Sequence, residues 1–159
     1  MNLRIRSLSI ILFALAALVT APMVTAAESG RSPSPDGATV GFANLADGDV
    51  VPPGFTVKFT VSGMGIAPAG VDIENTGHFH LLIDLDALPD MNGPLPATPN
   101  IVHFGKGQSE TQLDLPEGPH TLRVMLADYL HVPHDPPVVS EPIRITVSSA
   151  AAAVEDNAN

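Results

Sequence analysis

The chain has 159 residues, 16 of them proline, with no cysteine and no tryptophan, and 7 Lys+Arg against 17 Asp+Glu give a formal net charge of −10. That length allows one domain with a tail, and the acidic balance without any basic cluster argues against nucleic acid or an anionic membrane surface as partner. Without cysteine there is no disulfide, no thiolate metal site and no cysteine nucleophile, so any chemistry falls to His, carboxylates, hydroxyls or Met.

Residues 1–26 read as a secretory signal. Arg4 and Arg6 precede an apolar run from Leu8 to Val19, and small residues follow to a cleavage point after Ala26, with Ala27 as the neighbouring choice. The run is about a dozen residues, short of the ~20 that span a hydrocarbon core, so cleavage is expected and no membrane insertion afterwards. Loss of this segment removes two basic residues and no acidic ones, which leaves a still more acidic mature chain. An exported chain without cysteine fits a bacterial periplasm or exterior. Residues 27–37, rich in Ser, Pro and Gly, read as a flexible leader.

From residue 38 to 147 the apolar period is two. Phe55, Val57, Phe59 and Val61 alternate with Thr56, Lys58, Thr60 and Ser62, as in a strand with one buried face. Similar runs fall at Thr39 to Leu45, His78 to Leu85, Ile101 to Phe104, Thr111 to Leu115, His120 to Ala127 and Ile143 to Val147. Turn chemistry such as Asp47-Gly48-Asp49, Pro52-Pro53-Gly54 and Pro116-Glu117-Gly118-Pro119 separates them. No stretch holds a helical period. About seven short strands in one all-β domain predict an immunoglobulin-like β-sandwich. Residues 148–159, an alanine run followed by polar residues, read as a disordered tail, with one helical turn near Ala150 as the alternative.

All six histidines lie between His78 and His134. On a strand, His78 and His80 leave one face while Phe79, Leu81 and Ile83 take the other, which is the natural core side. Two such imidazoles stand about 6–7 Å apart at Cα and can converge on one ion. His103 belongs to another short strand, and His131 and His134 lie in a proline-stiffened loop that loses little entropy on ligation. The candidate metal ligands are therefore His78, His80, His103, His131 and His134. An all-imidazole site suits Cu or Zn, with Cu favoured by intrinsic affinity and Met64 available as a soft extra ligand to reduced copper. His120 follows Pro119 at a strand entrance and is expected to pin that turn.

The stretches Gly77-His78-Phe79-His80-Leu81-Leu82-Ile83-Asp84, His103-Phe104-Gly105-Lys106-Gly107-Gln108-Ser109-Glu110, Gly118-Pro119-His120-Thr121-Leu122, Ala127-Asp128 and His131-Val132-Pro133-His134 resemble the bacterial exported family called domain of unknown function 4399. The resemblance runs from about Val40 to Val147. It implies an exported, compact, β-rich domain with a histidine-bearing face, and no established activity. The family pattern often has His where this chain has Phe79, so no ligand role attaches to that position.

The resulting expectation is a periplasmic or secreted domain that binds a transition metal without catalysis. Its partners would be the metal ion and an envelope protein. A His-x-His strand pair followed by a third strand histidine also looks similar to the zinc site of α-carbonic anhydrases, but this chain lacks tryptophan and is too short for that fold. No nucleophile elbow of the form Gly-x-Ser-x-Gly is present. The rival expectation is a cell-envelope interaction or structural module without metal, whose histidines serve local hydrogen bonds.

Overall fold

The computed structural model describes residues 30–151. The expected signal segment and most of the expected tail lie outside this range. Nine strands form in chain order: β1 (Thr39–Phe42), β2 (Val50–Val51), β3 (Phe55–Ser62), β4 (Gly65–Ile66), β5 (Thr76–Ile83), β6 (Ile101–His103), β7 (Glu110–Leu113), β8 (Gly118–Ala127) and β9 (Ile143–Val147). All seven expected strands are among them. The two additions, β2 and β4, are two residues each, too short for alternation to register, and both pair in parallel with a longer neighbour. Among the described residues, helical backbone is confined to 149–151.

The strands form two sheets of a β-sandwich. One has the order β1-β3-β7; the other runs β2-β9-β8-β5-β4, with β6 also paired to β5. Their inner faces carry the alternating apolar residues read from the sequence: Phe55, Val57 and Phe59 from one sheet, and Phe79, Leu81, Leu122, Val124, Leu126 and Ile145 from the other, all buried. Phe59 sits at the centre, its ring 5.1 Å from that of Phe79 and 4.9 Å from that of Phe104. Aromatic pairs at such separations add to the burial of their area.

The outer face of the larger sheet is also covered. β5 is buried from Gly77 to Ile83 without alternation, because a second, smaller apolar cluster of Leu82, Leu95, Ile101, Met125 and Ala127 closes over its far side. The cover comes from the chain after β5 and from the loop after β8. Leu95 N–H donates to His131 O at 2.9 Å, and Leu126 N–H donates to Val138 O at 2.9 Å.

Residues 31–34, within the stretch expected to be a flexible leader, are tied to that second loop. Ser34 N–H donates to Asp135 O at 3.1 Å and Asp135 N–H to Ser32 O at 2.9 Å, while Arg31 Nε donates to Pro133 O at 2.9 Å and its guanidinium also bonds to His134 O. Composition alone predicts mobility here; backbone pairing with a distant loop overrides it. No described helix is long and apolar enough to cross a membrane.

Candidate metal centre

The site begins on β5. Alternation sends Phe79 and Leu81 into the sandwich, so His78 and His80 project from the opposite face, where the outer cover makes them 0% and 2% exposed. Antiparallel pairing places His103 of β6 directly across from His80 on one side, and Met125 of β8 directly across on the other. A row His103, His80, Met125 therefore crosses three strands on one face. Met125 is fully buried and belongs to the small apolar cluster. Its place follows from the same alternation that puts Val124 and Leu126 inside, a signal present in the sequence but not used for site residues.

His131 arrives from the loop after β8. Its φ of 69° is left-handed, uncommon for a residue with a side chain, and the loop is held in that form by Asp128. The Asp128 carboxylate accepts from Leu130 N–H at 2.9 Å, Val132 N–H at 3.0 Å and Ser32 Oγ at 2.6 Å. Its carbonyl accepts from His131 N–H at 2.9 Å, and its own N–H donates to Val132 O at 2.9 Å. Asp128 is itself 5% exposed.

Four imidazoles thus gather from three chain segments. The ring of His78 lies 4.8 Å from that of His80, 5.0 Å from His103 and 5.0 Å from His131, centroid to centroid. His103 and His131 are 4.7 Å apart. His78, His80 and His103 each offer one ring nitrogen within 4.8 Å of the others, and among the described residues they are a group able to hold a metal ion. His131 packs against all three rings but lies outside that nitrogen set. His103 and His131 form the accessible rim, exposed and half-buried respectively. Gly105 leaves room for the rim, since a Cβ there would overlap Cε1 and Nε2 of His103.

The remaining candidates lie elsewhere. His134 is three residues from His131 yet its ring is not part of the cluster. It packs under Gly77, where a Cβ would approach its Cε1 within 2.9 Å, and its Nε2 donates to Thr76 O at 3.2 Å. Met64 packs against the inter-sheet core, so it is a packing residue and not a soft ligand beside the imidazoles. His120 pins its turn as expected: Nδ1 pairs with Asp84 Oδ2 at 2.7 Å and Nε2 donates to Pro116 O at 2.8 Å. A pocket of ≈ 200 Å³ lined by Ser32, Ile73, Tyr129 and His134 among others includes none of the four clustered rings; an ion enclosed by side chains needs no such cavity.

Both ring nitrogens of His78 and Nδ1 of His80 are buried without a hydrogen-bond partner. Burial, followed by repulsion from His103 and His131, pushes His78 down to about 4. Burial, then His78 and His103, pushes His80 down to about 3. His103 is lowered by the same causes, burial first and then His131. At neutral pH these imidazoles are neutral, each with one ring nitrogen free of a proton and able to ligate. His120 is the contrast: burial lowers its pKa, but the bonds to Asp84 and Pro116 O outweigh this and raise it overall.

A family profile described as Domain of unknown function (DUF4399) matches residues 57–148, which span β5, β6, β8 and the His131 loop. No curated protein and no solved structure matches the chain significantly.

Proposed function

The chain belongs to the DUF4399 family, and from the histidine site we propose that it is an exported domain that binds a transition metal ion, copper or zinc, without catalysing a reaction. His78, His80 and His103 are the ligands in this reading, with His131 beside them. One observation carries it: neighbouring buried imidazoles hold three nitrogens that no protein group satisfies. A buried polar group left unpaired costs about 1–3 kcal/mol, and native structures pair nearly all of them. A cation shared between the rings takes one nitrogen from each and removes the cost at those atoms, leaving one His78 nitrogen unpaired, and neutral imidazole is the form that ligates.

His120, with a local role, has both ring nitrogens bonded; His134, outside the cluster, leaves Nδ1 unpaired, so the reading rests on three such nitrogens lying on neighbouring rings and not on unpaired nitrogens as such. Export rests on the arginines, apolar run and small residues of 1–26, and an envelope protein as the partner for metal exchange rests on that export.

The test is titration of metal-depleted protein with Zn²⁺ or Cu²⁺, followed by calorimetry and imidazole NMR. About one equivalent is expected to bind. His80→Ala should weaken binding strongly and His120→Ala should leave it nearly unchanged. Melting temperature and imidazole signals that do not respond to micromolar metal would transfer the function to a metal-free envelope module.

A further inference from the structure

The reading of the site as a metal centre does not by itself specify a coordination shell, but the ring positions do. The six centroid separations among His78, His80, His103 and His131 are 4.8, 5.0, 5.0, 5.1, 6.1 and 4.7 Å. A nitrogen bound at about 2.0–2.1 Å places its ring centroid roughly 3.2 Å from the ion. Four such centroids at the corners of a tetrahedron lie about 5.2 Å apart in every pair. At the corners of a square, four pairs would lie about 4.5 Å apart and two opposite pairs about 6.4 Å.

The observed set has one longer edge, His80 to His131 at 6.1 Å. A square needs the opposite edge to be long as well, and that edge, His78 to His103, is 5.0 Å. The four rings therefore stand at the corners of a tetrahedron stretched along one edge. Two corners are fixed by β5 and one by β6, and the fourth by a loop that Asp128 holds with His131 in a left-handed conformation. Those bonds hold the fourth corner in place as the strand pairing holds the other three.

We propose that His131 is the fourth ligand of a closed tetrahedral shell, and that the site takes a d¹⁰ ion, Zn²⁺ or Cu⁺, in preference to tetragonal Cu²⁺. This rests on the metal-binding reading above. A d¹⁰ ion has no preferred geometry of its own and accepts four imidazoles as the protein presents them, whereas Cu²⁺ favours square-planar or tetragonal donors. On ligation the nitrogens must draw in to roughly 3.3 Å of one another, which side-chain rotation at the two rim residues, His103 and His131, supplies. Four protein donors leave no open position, in keeping with binding and not catalysis.

The experiment uses Co²⁺ as a geometric reporter on the purified, metal-depleted protein. One equivalent is expected to give the intense visible d–d absorption of four-coordinate cobalt, bleached by Zn²⁺ and, without oxygen, by Cu⁺. Competition of those two ions against chromophoric chelators then identifies which one the site prefers. His131→Gly suits the left-handed backbone, so the fold by circular dichroism should persist while the band shifts and becomes pH-dependent as water takes the vacated position, and Zn²⁺ affinity falls roughly tenfold or more. Bound cobalt with only the weak bands of six-coordination, or an intense band indifferent to His131→Gly, would overturn the four-imidazole shell while leaving metal binding in place. No uptake of any of these ions would overturn the binding reading and this inference with it.

Discussion

His80 and His103 face each other across the β5–β6 pair with ring centroids 5.1 Å apart and planes inclined by only 29°, one ring buried and the other exposed. The buried partner is positioned by strand geometry and closed in by the outer apolar cover. The exposed partner packs against His78, His131 and Gly105 at the solvent edge of the cluster.

His78→Leu separates the cost of the cluster from its use. Both ring nitrogens of His78 are buried and unpaired, and Leu fills a similar volume without polar atoms. The metal-free variant should be more stable than the parent by about 1 kcal/mol, read by urea unfolding. Stabilisation by added Zn²⁺ should be strongly reduced at the same time. A metal-free variant less stable than the parent would mean that the His78 nitrogens are satisfied in solution.

Acid should destabilise the fold. His78 and His80 lie at about 4 and about 3 in the folded chain, below the ordinary value of 6.5. As pH drops below 6.5 the unfolded chain takes up protons that the folded chain does not, so stability falls through the window from 6.5 down to those values. His120 acts with the opposite sign: its raised pKa stabilises the fold below 6.5, and that contribution fades as pH rises through its folded pKa. Two rings shifted far down outweigh one partly buried ring shifted up. The melting temperature should be lower at pH ~4.5 than at pH ~7.5, with a steeper decline when metal is bound, because protons compete for the same nitrogens. A flat or rising melting temperature on acidification would contradict the burial of neutral imidazoles.

Asp128→Ala should loosen the His131 loop. The substitution removes the acceptor for Leu130 N–H, Val132 N–H and Ser32 Oγ at a position 5% exposed. Hydrogen bonds to a carboxylate contribute about 1.5–3 kcal/mol each at most, and an overall loss on the order of 3 kcal/mol is expected by urea unfolding. Hydrogen exchange should speed up at residues 130–132 more than in β5. Equal acceleration in both would show that Asp128 supports the whole sheet and not the loop.

Gly105→Ala should injure the site and spare the core. The added Cβ overlaps the His103 ring but meets no buried core residue among its nearest atoms. Zn²⁺ affinity is expected to fall by roughly tenfold with a change in unfolding free energy within about 1 kcal/mol. An unchanged affinity would show that His103 is not a ligand.

Much of this was legible in the sequence. Phe55, Val57 and Phe59, and again Phe79 and Leu81, declare their strands and their buried faces by a period of two, which depends only on backbone geometry at each residue. The role of His120 follows from its place after Pro119 at a strand entrance. What alternation missed is the cover over the outer face of β5. It predicts a half-wet face for His78 and His80, because nothing local to β5 announces that Leu95, Ile101 and Met125 will close over it.

By itself the sequence determined that His78 and His80 share one face with Phe79 on the other, and that the chain builds an all-β sandwich, since both depend on short-range periodicity and turn chemistry. Only the tertiary structure decided which other histidines join them. His131 and His134 are three residues apart in one proline-rich loop, yet one ring enters the cluster and the other turns beneath Gly77. That choice is made by a left-handed residue, a buried aspartate and a segment about a hundred positions upstream in the chain, long-range constraints that form only once the loop has docked on the sheet.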